Sequence, residues 1–142
     1  MKIPFFDYQH LFSSDKDNFM DIFYEVCNRG AYIMQNDLID FESEIAKYCG
    51  CNYAVGVGNA TDALEMLLHA SGIGKGDEVI FCSHTMVATA SAIKINGAKP
   101  VPVEAGSDHL IDPDSIKLAI TSKTKAILPT QLNGRTANMD EI

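Results

Sequence analysis

Apolar and polar positions follow two different rhythms along this chain, with the change near residue 53. Before it, apolar residues recur at helical spacing. Phe19, Ile22, Phe23 and Val26 form one stripe. Ser13, Ser14 and Asp15 precede it as caps, and Gly30 is placed to stop it. Leu38, Phe41 and Ile45 form a second stripe, predicting a helix over 37–48 ended by Gly50. No alternating pattern occurs in this opening section, so 1–52 reads as a helical lead-in.

From residue 53 onward, short apolar runs alternate with helical stripes. Four strands are predicted: Tyr53–Val57, Glu78–Cys82, Pro100–Glu104 and Ala126–Pro129. Helices are predicted between them over 61–70 and 85–95, with a third opened by Asp112-Pro113. This alternation without hairpin signals predicts an α/β fold with a mostly parallel sheet and right-handed crossovers over 53–142. Pro102 is incompatible with the middle of a sheet, so the third candidate belongs at an edge or carries a bulge.

Composition narrows the partners more than the fold. The chain has 142 residues, 46% hydrophobic and 21% charged, enough for one compact domain with a core. A net charge of −8 argues against nucleic-acid binding. Cys27, Cys49, Cys51 and Cys82 lack the spacing of a zinc site and read as reduced, packed thiols, so no metal is expected. No apolar stretch is long enough to span a bilayer, and MKIPFFDYQH lacks a signal-peptide core. A soluble, cytoplasmic protein is expected.

Chemistry is expected where predicted strands give way to helices. Asn59-Ala60-Thr61 follows the first strand candidate: a small residue lets backbone amides approach a phosphate, and a hydroxyl can join them. The same residues could serve only as a helix cap. The Gly56-x-Gly58 pair lacks the third glycine of a dinucleotide fingerprint. Ser83-His84-Thr85-Met86 closes the second strand in the same manner, with His84 a loop or capping histidine and Met86 a packing residue unless a ligand is shown. No Ser/His/Asp order and no paired carboxylates stand out, so no catalytic residue is assigned.

Taken in order, FE at 41–42, NATDAL at 59–64, GDEVI at 76–80, TMVATA at 85–90 and TKAI at 124–127 resemble the DegT/DnrJ/StrS class of pyridoxal-phosphate aminotransferases. The resemblance runs from IPFFDY to ANMDEI. It implies a three-layer α/β fold, with 1–142 as the N-terminal part of the large domain of a fold-type-I transferase. It also implies pyridoxal 5'-phosphate as cofactor, with Asn59, Ala60 and Thr61 around its phosphate and Met86 over its ring. Ala60 stands where the family often has Gly, Met86 where relatives usually place an aromatic residue, and Gln35 where a glycine is common.

The implied reaction moves an amino group from an amino acid donor, glutamate, to a nucleotide-linked keto sugar, on sites built at a homodimer interface. The family's covalent lysine follows the ANMDEI-like segment, and Lys94, Lys99, Lys123 and Lys125 do not match its motif. The chain alone is therefore expected to be inactive. A different reading is a non-catalytic α/β remnant or interaction module that binds a nucleotide sugar or a polypeptide. An open sheet edge is expected to cause self-association or marginal stability.

Overall fold

The computed structural model describes residues 3–142, which divide into two compact units, one ending at Gly56 and the other beginning at Val57. The first unit is helical. α1 (Tyr8–Ser14) is capped by Asp7, whose carboxylate accepts the His10 N–H at 2.9 Å. Ser13 and Ser14 thus lie inside a helix instead of capping the next one. Asp15 holds the cap position of α2 (Lys16–Asn28) without a side-chain bond. Gly30 follows the helix with φ +66°, a conformation a Cβ would penalise. In α3 (Asn36–Cys49), Gly50 closes the C-terminus with φ +67°. Phe12 and Phe19 stack across α1 and α2 at 6.1 Å, and Arg29 pairs with Asp37 at 3.0 Å between α2 and α3.

Tyr53–Val57 is not a strand. The segment is non-helical, and among the described residues no strand lies beside it. Among the described residues, the Gly56 N–H ties it to α3 by donating to Glu42 Oε1 at 2.6 Å. An apolar alternation suits a strand, but a strand exists only where a neighbour completes the ladder.

The second unit contains α4 (Ala60–Ala70), β1 (Glu78–Cys82), α5 (Val87–Ile95), β2 (Lys99–Val103), α6 (Pro113–Ala119) and β3 (Thr124–Leu128), with a 3-10 turn at Leu132–Gly134. The strands form a parallel sheet in the order β2-β1-β3. All five residues of β1 are buried, as expected of a central parallel strand. Ile80 and Cys82 face Val103, Leu110, Ile111 and Ile116 on one side. Val79 and Phe81 face Leu68, Ala92 and Ile93 on the other. Helices α4 and α5 thus cover one face and α6 the opposite one, giving three layers.

Pro100 and Pro102 sit in β2, at a sheet edge. Lys99 donates its N–H to Asp77 O at 2.8 Å, and Val103 O accepts from Ser83 N at 2.9 Å. The odd-numbered residues of β2 therefore face β1, and both imide nitrogens face outward where no donor is needed. The one register irregularity lies between β1 and β3, near Glu78 and Val79.

Candidate functional site

Helix α4 runs into β1 through a short loop, and α5 leaves β1 in the same manner, so both helices run antiparallel to the strands. Their N-termini lie toward the C-terminal ends of the strands, where open α/β sheets bind ligands. This brings Asn59-Ala60-Thr61 and Met86 to one edge of the sheet.

At the start of α4, the Asn59 side-chain oxygen accepts the Asp62 N–H at 3.0 Å, and its amide donates to Asp62 Oδ2 at 3.0 Å. Asn59 O accepts the Ala63 N–H at 3.1 Å. The cap is thus made by Asn59, not Thr61. The first-turn amides of Ala60 and Thr61 precede those satisfied by the cap and remain available. Asn59 and Ala60 are exposed and Thr61 is half-buried. The corner is open, and two amides with an adjacent hydroxyl are a donor set that fits a phosphate.

Met86 is the residue before α5 and is 73% exposed. The helix begins at Val87 because the Met86 backbone is extended, with ψ 143°. Thr85 Oγ1 lies 2.7 Å from Thr130 Oγ1 and 2.9 Å from the buried Thr89 Oγ1. This hydroxyl chain ties the loops after β1 and β3 together beside Met86. Thr130 is a site-edge residue that local sequence patterns missed, because its partner is distant in the chain. Gln131 follows it, with Oε1 accepting the Ala137 N–H at 2.6 Å.

The lysines lie elsewhere. Lys94, Lys99 and Lys123 line a cavity of about 540 Å³ at the N-terminal ends of the strands. Lys99 Nζ pairs there with Glu78 at 2.9 Å. The Thr121 hydroxyl donates to the same carboxylate at 2.6 Å. That hydroxyl, with Lys99, holds the Glu78 pKa below the usual carboxylate range, against the opposing effect of burial. Among the described residues, no group of three or more His, Cys, Asp or Glu side chains could hold a metal ion. No described helix is long and apolar enough to cross a membrane.

Comparison with known proteins gives the family of the chain. The DegT/DnrJ/EryC1/StrS aminotransferase family model matches residues 13–142. The chain belongs to this family. A dTDP-3-amino-3,4,6-trideoxy-alpha-D-glucose transaminase from Streptomyces venezuelae is 40% identical over 142 residues, covering 99% of this chain and 38% of the relative. The crystal structure of S. venezuelae DesV superposes with a TM-score of 0.95 at 40% identity, over 99% of this chain and 38% of that one. Bacillus subtilis ntda with bound cofactor PMP gives 0.94 at 32% identity, over 99% and 33%. The chain thus spans less than two fifths of the length of these relatives. The cofactor of the family is pyridoxal phosphate, and the α/β unit with its parallel sheet is part of that transferase fold.

Proposed function

We propose that residues 1–142 form the phosphate-holding N-terminal part of the large domain of a cytoplasmic, homodimeric nucleotide-sugar aminotransferase. The amino donor is an amino acid, glutamate, and the acceptor is a nucleotide-linked keto sugar. The observation that carries this reading is the open first turn of α4, at the C-terminal edge of a parallel sheet in a member of this family. Ala60 and Thr61 offer two backbone amides and the Thr61 hydroxyl to the cofactor phosphate, reinforced by the positive end of the helix. Asn59 fixes the position of those donors by capping the turn. Met86, projecting from the start of α5, packs against the pyridine ring. The cofactor, when bound, supplies the electron sink for amino transfer.

Residues 1–142 provide binding and orientation without a covalent lysine. Support comes from the positions of Lys94, Lys99 and Lys123 at the opposite ends of the strands from α4's first turn.

Equilibrium dialysis with pyridoxal phosphate tests the reading. Thr61→Ala is expected to weaken retention roughly tenfold, the worth of a hydrogen bond to a charged group. Thr61→Ser should restore it, with circular dichroism unchanged in both. Equal retention by Thr61→Ala and the parent would overturn the assignment. After unbound pyridoxal phosphate is removed, borohydride is expected to leave no stoichiometric adduct; a one-to-one adduct on a single lysine would contradict the purely non-covalent role.

A further inference from the structure

The loops that follow β1, β2 and β3 enclose a second cavity, of about 190 Å³, lined by His84, Asp108, His109, Leu132, Asn133 and Arg135. None of the residues assigned to the cofactor lines it. The His84 and His109 rings meet edge to face with centroids 5.9 Å apart. His84 Nδ1 lies 3.3 Å from the His109 carbonyl, which can only accept, so Nδ1 carries a proton and Nε2 is left free. Arg135 is anchored by one guanidinium nitrogen, which donates to Asp108 O at 2.9 Å. Among the described residues the rest of its fork has no carboxylate partner. The one carboxylate in the lining, Asp108, turns back to accept the Leu110 N–H at 3.0 Å.

Two further features set this cavity apart from an ordinary surface hollow. His109 and Asn133 both adopt left-handed backbone, with φ +68° and +53°. Such non-glycine residues carry a conformational cost that the surrounding structure must offset. Here that backbone aims an imidazole and an amide at the same space from two different loops. In a chain of net charge −8, a guanidinium and two imidazoles converge on a cavity at the C-terminal edge of the sheet.

We propose that His84, His109 and Arg135 form a binding site for the phosphoryl group of a small anionic molecule, separate from the α4 phosphate corner. Arg135 supplies the fixed charge and a bidentate fork, the geometry that suits phosphate oxygens. The His109 ring offers an N–H donor from the facing loop, with the His84 ring set edge to face against it. The site stands independently of the cofactor reading, since no residue is shared between them.

Imidazole NMR spectra of the 142-residue chain test this directly, because His10 and His69 serve as internal controls outside the cavity. Titration with inorganic phosphate or pyrophosphate, at constant ionic strength, should shift the His84 and His109 resonances saturably and leave the controls in place. Tighter binding of pyrophosphate would identify a diphosphate-linked molecule as the source, and tighter binding of phosphate the free ion. Arg135→Gln is expected to weaken the response roughly tenfold, and Arg135→Lys to recover part of it. Should Arg135→Gln disturb folding, His109→Gln provides the same reading through the His84 signal. The proposal is overturned if all four histidines shift together, if Arg135→Gln binds like the parent, or if glutamate, a carboxylate without phosphorus, saturates the site equally well.

Discussion

Met86 offers the simplest exchange at single-residue scale. Its thioether side chain, 73% exposed at the start of α5, can pack on an aromatic ring but presents less flat area than another ring would. Exposure leaves room for a larger side chain without repacking the core. Met86→Phe is therefore expected to tighten pyridoxal phosphate binding by roughly two- to tenfold, the worth of an aromatic pair. Equal or weaker retention in dialysis would show that Met86 does not contact the ring. Glu78 makes a different kind of prediction, because its contacts with Thr121 and Lys99 favour the ionised carboxylate. A carboxyl whose folded pKa is depressed stabilises the fold above its unfolded value, here 4.5, and loses that contribution as pH falls through the lower folded value. Asp37 beside Arg29 and Asp112 beside Ser115 share this direction. Acidification below about pH 4.5 should thus destabilise the parent progressively. Glu78→Gln should be less stable at neutral pH and show a flatter decline in that window, measured by urea midpoints; an identical pH profile would remove Glu78 from the account.

At the scale of elements, what could be read in advance was whatever depends on neighbours a few residues apart. The stripe Leu64, Leu67, Leu68 and the Asn59 cap specify α4 locally. Asp112 does the same for α6, accepting the Ser115 N–H at 3.0 Å. The prolines of β2 declared an edge strand because a missing N–H is a property of the residue itself. The errors have the opposite character. Tyr53–Val57 has a strand's pattern, but a ladder requires a second segment that no local feature can supply. Thr85 falls one residue outside α5, whose cap Met86 is extended, and its hydroxyl also meets Thr130, 45 residues away. α1 was missed because Ser13 and Ser14 resemble caps, although Asp7 caps a helix that already contains them. The candidate site divides along the same line. Its phosphate corner is a local helix start, legible from Asn59 to Thr61, whereas the Thr85–Thr130 hydroxyl pair and the His84–His109–Arg135 cavity come from three separate loops. Since the α4 cap is local, its cost should be local too. Asn59→Ala is expected to lower stability by about 1 kcal/mol while fraying the donors of Ala60 and Thr61. An unchanged denaturation midpoint would indicate that tertiary packing alone holds the turn.

For the whole molecule, the decisive asymmetry lies between the two edges of the sheet. β2 is closed by Pro100 and Pro102, whose nitrogens face outward. β3 has no such protection: Ala126 and Leu128 pack toward one face and Ile127 toward the other, all only half-buried. Apolar residues on both faces belong to an interior strand, yet β3 lies at the edge of the described sheet. The crossover geometry points the same way. β2 leads through α6 to β3, and Ala137 and Ile142 pack on that same face after β3. A right-handed crossover on that face carries a chain onward past β3, not back toward β2. A polypeptide limited to residues 1–142 is therefore expected to self-associate through the β3 edge, aided by exposed apolar side chains such as Phe5, Phe6 and Tyr8 in the helical unit. Ile80, on the same side of the ladder as Glu78, pairs with Ile127, so the Ile127 N–H points to the open edge. Ile127→Pro would reproduce on β3 the device that closes β2 and should reduce association in sedimentation equilibrium, at some cost in core packing. Replacing Pro100 and Pro102 together by Val should increase association by opening the second edge. A parent chain that sediments as a monomer at all concentrations, and melts in one sharp concentration-independent transition, would show that the β3 edge is already protected.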